Sequence, residues 1–244
     1  MNLIIDIGNS RAKVVVISGD TLCKEYVREA FDAELLDHIL ADFPNINRAI
    51  IASTRGDEEQ VKSIVERHVD TVIVFKPATT PIPLANHYHT PETLGADRLA
   101  AAVGAQAMHP ECDIMIVDFG TAITIDFVEG GAFKGGNISP GVTTRFRALA
   151  DYTARLPRCY ATHEVLDYGR TTTEAIEQGV MRGVEHEIVG YMEGFLQKNE
   201  KKCIIFTGGD AKYFVKRIKN TIFADCEPVI FGLNRILNYN AERI

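Results

Sequence analysis

The sequence predicts an α/β protein built from two similar halves, each with a mixed β-sheet flanked by helices. Two β-rich apolar runs, residues 3–7 and 13–17, surround a polar Gly-Asn-Ser turn, as in a hairpin. The same pattern returns at residues 113–128, where VDFGTA aligns with the IDIGNS that stands 112 residues earlier. Strand and helix patterns alternate after each hairpin. The repeat therefore indicates an internal duplication, with two βββαβαβα-type halves.

The first half continues beyond its hairpin as alternating strands and helices. The predicted elements are strands near 21–27, 49–52 and 71–75 and helices over 32–42 and 57–68. Residues 76–91 contain several prolines and end in HYHTP, a composition typical of a loop. We place the boundary between the halves here, so that the first half is 1–90 and the second is 91–244.

The second half begins with a helix signal at Thr90-Pro91-Glu92, which joins an N-cap residue, a proline and an acidic first turn. This helix is predicted to run to Met108. After the second hairpin, a third strand ends at the glycine-rich stretch 135–141, and a helix follows. The remaining predictions are helices over 172–198, 211–219 and 228–238, a strand at 203–206 and a turn at 207–210.

Composition limits the classes of function. The 244 residues are 46% hydrophobic and 24% charged, as in globular proteins with a full core. Lys and Arg number 26 against 33 Asp and Glu, and the net charge of −7 opposes binding to nucleic acid or to an anionic membrane. An anionic small molecule remains compatible with this charge, because backbone amides and a metal ion can hold phosphate.

The cysteines and the apolar runs indicate a cytoplasmic protein. Five cysteines are scattered along the chain without a CxxC or a zinc-site spacing, so we expect small core residues in a reducing compartment. The first residues lack a basic targeting region, and no apolar run approaches the roughly 20 residues of a membrane helix.

The two repeated turns have the residues that phosphate binding requires. Each places an aspartate, Asp6 or Asp118, at a strand end before a glycine-containing turn. Such a turn can hold phosphate with its amides, while the carboxylate binds a hydrated Mg²⁺. A single copy could equally be a hairpin whose aspartate bonds its own turn. Two copies, together with the glycine pair in Thr207-Gly208-Gly209, favour phosphate binding.

These three motifs resemble the first phosphate, second phosphate and adenosine motifs of the superfamily of acetate and sugar kinases, heat-shock ATPases and actin. The resemblance implies a duplicated ribonuclease-H-like (actin-like ATPase) fold, with ATP and substrate in the cleft between the halves. GxxxxGK[ST] is absent from the sequence. Within the superfamily, Gly95-Ala96-Asp97-Arg98 and the stretch 135–141 resemble type III pantothenate kinases, and the resemblance extends over the whole chain.

The family resemblance implies an ATP-dependent phosphorylation of pantothenate to 4'-phosphopantothenate, the first step of coenzyme A biosynthesis. It further implies that Asp6 holds Mg²⁺, that Thr121 touches the nucleotide, and that Asp118 helps to hold potassium or ammonium. The residues implied for ATP are Asp6, Ile7, Gly8, Asn9, Ser10, Arg11, Ala12 and Lys13. The sequence departs from the family pattern at Ser10 and Ile123, where threonine is usual.

The acceptor site implied by the resemblance consists of Gly95, Ala96, Asp97 and Arg98, with Tyr88 beside them. Asp97 would be the general base, and the chemistry agrees, because a primary alcohol attacks phosphorus well only when a nearby group accepts its proton. The alternative for Asp97 and Arg98 is a solvated helix face with an acid near its N-terminus. Arg98 could pair with the pantothenate carboxylate or with a neighbouring acidic side chain.

The family also implies a homodimer and a substrate threonine before a long helix. Thr172 fits best, although Thr171 and Thr173 are its neighbours. Two other functions stay open: a kinase of another small acid or sugar, and a non-catalytic regulatory member of the family. His87 and His89 could suggest a metal site but lack an evident third ligand, and Arg145 and Arg147 could bind anions or be solvated.

Overall fold

The computed structural model describes residues 1–197, 201–218, 222–223 and 227–243. Its first part runs β1 Asn2–Ile7, β2 Ala12–Ser18, β3 Thr21–Arg28, α1 Ala33–Asp42, β4 Arg48–Ser53, α2 Glu58–Val65, β5 Thr71–Val74, β6 Ala85–Asn86 and α3 Ala96–Met108. It continues with β7 Asp113–Phe119, β8 Ala122–Glu129, β9 Ala132–Pro140, α4 Val142–Asp151, α5 Thr172–Leu196, β10 Lys202–Thr207, β11 Ile222–Phe223 and α6 Pro228–Ala241.

The strands form two sheets of matching topology. The first has the order β3-β2-β1-β4-β5, and the second has the order β11-β10-β7-β8-β9-β6. The central strand of each, β1 or β7, pairs antiparallel with the next strand in the chain and parallel with a later one, β4 or β10. Both sheets are therefore mixed, and their common order confirms the predicted duplication.

Contacts between residues divide the chain into two compact units. One comprises Met1–Pro110, Gly131–Lys134 and Cys226–Ile244, and the other comprises Glu111–Gly130 and Gly135–Asp225. The expected boundary at residue 90 lies inside the first unit, because α3 packs against α6.

In the first unit, the sheet is covered on both faces. Alternate strand residues such as Leu3, Ile5 and Val14 form a core with α1 and α2. The intervening residues, including Ile4 and Ile50, are also fully buried, on the face that α3 and α6 cover. Burial on both faces explains why these strands are continuous apolar runs rather than alternating ones.

Helices α3 and α6 approach closely through two glycines. A Cβ atom on Gly232 would lie closer than 3.0 Å to the Ala100 carbonyl oxygen, and one on Gly104 would lie closer than 3.0 Å to the Pro228 carbonyl oxygen. Further along α6, the side-chain oxygens of Asn234 and Asn238 accept hydrogen bonds from Asn2 Nδ2 at 2.7 Å and 2.9 Å. These bonds attach α6 to β1.

The core of the second unit lies between its central strands and the helices α4 and α5. Phe119 at the end of β7 is nearly fully buried, and its ring stacks on that of Phe214 with centroids 4.9 Å apart. The ring of Phe206 meets Phe119 edge-on at 5.1 Å. The aromatic group fixes the strand end that carries Asp118.

Some predicted elements differ from the observed ones. Residues Pro91–Thr93 form only a 3₁₀ turn, and Leu94 is extended, so α3 begins at Ala96 rather than at the predicted Pro91. The predicted helix over 211–219 is a 3₁₀ turn at Ala211–Tyr213, followed by further turns. Residue 219 lies outside the described residues. The predicted end of α5 at residue 198 also lies outside them. The two-residue strands β6 and β11 have no pattern that identifies them.

Among the described helices, none combines the length and hydropathy that a bilayer crossing requires.

Replacing Gly232 with alanine is expected to lower the free energy of unfolding by about 3 kcal/mol, because the new methyl group meets a helix backbone that cannot move aside. Urea denaturation measures this change. Gly190→Ala on α5 is the control, since nothing lies within 4 Å of its Cβ position, and alanine there should stabilise by up to about 1 kcal/mol. Equal effects of the two substitutions would contradict the close packing.

Candidate functional site

The turn after β1 presents polar groups beside a carboxylate. Asp6 is half-buried near the strand end, opposite Lys13 on β2 and Ala52 on β4. The Gly8 N–H donates to the Arg11 carbonyl oxygen at 3.1 Å, which closes a tight turn. Asn9, Ser10 and Arg11 are exposed on it. This geometry can offer amides and a carboxylate to a metal-bound phosphate.

Lys13 lies on the same face of the sheet as Asp6, because directly opposed residues of antiparallel strands share a face. Its ammonium forms an ion pair with Glu227, the N-cap residue of α6, and lies 3.7 Å from a Glu25 carboxylate oxygen. No local sequence pattern indicates this role for Glu227, which stands 214 residues from Lys13.

The residues expected to hold the acceptor come together at the start of α3. Asp97 is half-buried in the first turn, and its Oδ1 accepts a hydrogen bond from the Arg98 backbone N–H at 2.9 Å. The Arg98 side chain lies over the Tyr88 ring, with 5.7 Å between guanidinium carbon and ring centroid. Only 6% of Arg98 is exposed. The solvated-face interpretation is therefore wrong for Arg98, which is buried against an aromatic ring.

Tyr88 is positioned by one contact of its backbone and one contact of its ring. Its backbone N–H donates to Asn86 Oδ1 at 3.0 Å, and its ring centroid lies 6.1 Å from that of Phe133. The short pairing of β6 with β9 places Asn86 opposite Phe133. The two-residue strand β6, which the sequence does not predict, thus positions Tyr88, the tyrosine that the family resemblance implies for the acceptor site.

In the second unit, the turn after β7 meets the turn after β10. Asp118 is half-buried and stands opposite Thr207 in the parallel pair. Gly208 has φ +91°, and a Cβ atom there would lie closer than 3.0 Å to Asp118 Oδ1. The Asp210 N–H donates to the Phe119 carbonyl oxygen at 3.1 Å. The second and third motifs are thus in direct contact.

The connection from β9 to α4 reaches the same turn. The Thr121 carbonyl oxygen accepts hydrogen bonds from the Gly141 N–H at 3.0 Å and from the Thr144 hydroxyl at 2.7 Å. Thr121 is exposed. The glycine-rich stretch 135–141 is mostly strand, since β9 extends to Pro140, and only its last residue begins the helix connection.

Of the three consecutive threonines 171–173 at the start of α5, the first caps the helix and the second begins it. Thr171 is the N-cap: its hydroxyl oxygen accepts from the Glu174 N–H at 3.2 Å, and Glu174 accepts in return from the Thr171 N–H. The capping box therefore uses Thr171 for the helix. Thr172 is the first helical residue and is exposed.

Other polar residues raised by the sequence have structural contacts. Arg145 forms an ion pair with Glu187 and donates to the Pro140 carbonyl oxygen at 2.7 Å, so it connects α4 to α5 and to the end of β9. Arg147 is exposed. His87 Nδ1 lies 3.2 Å from Lys134 Nζ. Within the described ranges, no cluster of three His, Cys, Asp or Glu residues could hold a metal ion.

The cysteines resemble core residues only in part. Cys159 and Cys203 are buried, as predicted, whereas Cys23 is exposed, which contradicts the prediction, and Cys112 is half-buried. Cys226 lies outside the described residues. Burial, together with the neighbouring Cys112, raises the pKa of Cys203 to about 11. Burial also raises the pKa of Cys159. Both buried residues are therefore neutral thiols at physiological pH.

The sequence matches the family model for type III pantothenate kinase over residues 2–194. It is 43% identical to the type III pantothenate kinase of Phocaeicola vulgatus over 242 residues, which cover 98% of this chain and 99% of that relative. The chain belongs to the type III pantothenate kinase family.

Solved structures support the fold of this family member. A Baf family transcriptional activator from Campylobacter jejuni has a TM-score of 0.66 at 24% identity, covering 98% of this chain and 99% of that one. The activator of 2-hydroxyisocaproyl-CoA dehydratase from Clostridium difficile, solved with bound ADPNP, has a TM-score of 0.58 at 13% identity, covering 100% and 97%. At these identities the likeness concerns the fold alone, which is the duplicated ribonuclease-H-like fold expected from the sequence.

Gly208→Ala tests the contact between the two turns of this pantothenate kinase family member. The new methyl group meets Asp118 and the Phe119 backbone in a conformation with positive φ. Gly130→Ala is the control, because Gly130 has φ +59° and nothing within 4 Å of its Cβ position. Urea denaturation should show Gly208→Ala to be more destabilising than the control by about 2 kcal/mol. Equal losses would mean that positive φ alone accounts for the effect.

Proposed function

We propose that this chain transfers the γ-phosphoryl group of ATP to the primary alcohol of pantothenate, giving 4'-phosphopantothenate as the first step of coenzyme A biosynthesis. Family membership over nearly the whole chain supports the reaction. The single structural observation that carries it is the cluster of Tyr88, Asp97 and Arg98, which joins a carboxylate and a buried guanidinium in one place.

The turn after β1 is proposed to bind the ATP phosphates. The exposed residues Asn9, Ser10 and Arg11 and the half-buried Asp6 support this assignment. The Asp6 carboxylate supplies the hard oxygen ligand that Mg²⁺ prefers. When bound, Mg²⁺ neutralises charge on the phosphoryl oxygens. Lys13 belongs to the same face, with its ammonium already paired to Glu25 and Glu227.

In the second unit, Thr121 is proposed to touch the nucleotide, and Asp118 to help hold the monovalent cation, potassium or ammonium. The close approach of Gly208 leaves the Asp118 carboxylate beside backbone atoms of two turns. A carboxylate supplies the hard oxygen ligand that such a cation prefers.

Asp97 is proposed as the general base. It lies in the first turn of α3, where its Oδ1 accepts a hydrogen bond from the backbone N–H of Arg98, the residue whose guanidinium lies over the Tyr88 ring. A carboxylate can accept the proton of the pantothenate hydroxyl as the oxygen attacks phosphorus. The Arg98 guanidinium suits the pantothenate carboxylate, because its N–H groups can bind both carboxylate oxygens. Gly95 and Ala96 would complete the contacts through their backbone.

Thr172 is proposed as the substrate threonine, since Thr171 already caps α5. A homodimer and a cytoplasmic location are further proposals, which rest on the family and on the composition. The rival functions make different predictions. A kinase for another small acid or sugar would bind ATP but prefer another acceptor, and a non-catalytic regulatory member would not release ADP with any acceptor.

Asp97→Asn is expected to lower turnover by about 10²–10⁴-fold, because the amide cannot accept the alcohol proton. Binding of Mg·ATP should persist. The measurement is coupled ADP release with pantothenate, ATP, Mg²⁺ and potassium, alongside calorimetry of Mg·ATP binding. Glu92→Gln is the control, an exposed acid just before α3, and it should keep wild-type turnover. Undiminished turnover in Asp97→Asn would exclude Asp97 as the base.

Replacing potassium with sodium is expected to slow the wild-type reaction several-fold, because the larger, less tightly hydrated potassium ion would suit the Asp118 site. In Asp118→Asn the rates in the two salts should become similar, since the charge that holds the cation is gone. Initial rates at constant ionic strength give the comparison. A wild-type enzyme with equal rates in both salts would remove this role from Asp118.

A further inference from the structure

The loop after β4 lies against the turn after β1, residues 8–11, which is the proposed phosphate-binding turn. The parallel pairing of β1 with β4 sets Ile7 opposite Ser53. One residue further, the Thr54 N–H donates to the Ile7 carbonyl oxygen at 2.9 Å, and the Thr54 hydroxyl donates to the same oxygen at 3.2 Å. The loop is therefore fixed against the end of β1, directly before Gly8.

The loop is also fixed within itself. The Ser53 hydroxyl donates to Asp57 Oδ1 at 2.5 Å and accepts from the Arg55 backbone N–H at 3.0 Å. Asp57 precedes α2 as its N-cap residue. The backbone of Arg55 is thus held through its own N–H and through the preceding Thr54, which limits the directions that its side chain can take.

The Arg55 guanidinium connects two backbone segments. Its Nε donates to the Gly8 carbonyl oxygen at 2.8 Å, and its Nη1 donates to the Glu29 carbonyl oxygen at 2.9 Å, just beyond β3. The side chain is exposed. In the part of the chain that the structure describes, its partners are neutral carbonyl groups and no carboxylate forms an ion pair with it, so its positive charge stays at the turn.

The bond to Gly8 has a consequence for the next residue. A planar trans peptide holds its C=O and N–H in opposite directions. When Arg55 fixes the Gly8 carbonyl, it also fixes the direction of the Asn9 N–H, on the opposite side of the peptide. Among the described residues, the Asn9 N–H has no hydrogen-bond acceptor. An oriented amide without an acceptor, in the turn that follows Asp6, suits a phosphate oxygen.

We propose that Arg55 is a positioning residue for nucleotide polyphosphate: it orients the Asn9 N–H toward the phosphate and keeps a positive charge at the turn. The inference rests on the proposed binding of ATP to this turn and deepens it. Arg55 lies in another strand's loop, so the motif of residues 6–13 does not include it.

The test compares Arg55→Gln, Arg55→Lys and a control in calorimetry with Mg·ATP and in the ADP-release assay. Arg55→Gln should raise the Kd and the KM for ATP about tenfold, because the Asn9 N–H is no longer held in the direction in which it can donate to a charged phosphate oxygen. KM for pantothenate should stay at its wild-type value, because the contact with the Gly8 carbonyl belongs to the turn after β1 and not to the residues proposed for the acceptor. Arg55→Lys should recover little, since a single ammonium cannot reproduce the two-armed geometry.

Arg28→Gln is the matched control. Arg28 is exposed at the end of β3, and its guanidinium bonds to the carbonyl oxygen of adjacent Val27 at 2.9 Å. It should leave ATP binding unchanged. Equal effects of Arg55→Gln and Arg28→Gln would overturn the proposal, and so would full recovery in Arg55→Lys, which would mean that charge alone acts.

The binding measurement separates this proposal from the proposed reaction. A wild-type protein that binds Mg·ATP without phosphorylating pantothenate would refute the acceptor assignment, and the ATP affinity of the Arg55 variants would still decide the role of Arg55. A wild-type protein that binds no Mg·ATP would refute both.

Discussion

The two candidate phosphate turns depend on one constraint, the mixed pairing of the central strands β1 and β7. Each ends beside an antiparallel partner that follows it directly, so the connecting turn must be short. Each also has a parallel neighbour, whose next loop leaves from the same edge of the sheet. A short turn and a second loop therefore meet at both strand ends, next to Asp6 in one unit and Asp118 in the other.

The two units meet this constraint with different chemistry. After β10, the chain approaches the turn with its backbone, because Gly208 has no side chain to obstruct Asp118 and the Asp210 N–H bonds to Phe119. After β4, the approach is made by a long side chain, that of Arg55, which reaches the Gly8 carbonyl. The duplication conserves the position of the loop while the contact differs. This difference suits the different roles that we propose for the two turns, phosphate and Mg²⁺ at the first and the monovalent cation at the second.

The sequence is sufficient to predict the fold and the turns after β1 and β7, because these depend on local patterns that repeat. The acceptor role of Gly95, Ala96, Asp97 and Arg98 rests on the family resemblance and stays a prediction. It is less informative where distant residues decide the structure. Pro91 signals a helix start, but the extended Leu94 delays α3 to Ala96, which sets Asp97 in the first turn. The pairing of Lys13 with Glu227 and the hold of Arg55 on Gly8 join residues far apart in sequence, and no local pattern contains them.

The course of the chain through its two units has a consequence for folding during synthesis. The first unit includes α6, which lies in the last described segment of the chain. This helix contacts α3 through Gly232 and contacts β1 through Asn234. The ribosome must therefore synthesise the second unit and then α6 before this helix can cover its part of the first sheet. Until then, the apolar residues of that part of the sheet are available to chaperones or to other nascent chains. A single cut in the chain likewise cannot separate the two units, because the first unit is formed from segments on both sides of the second.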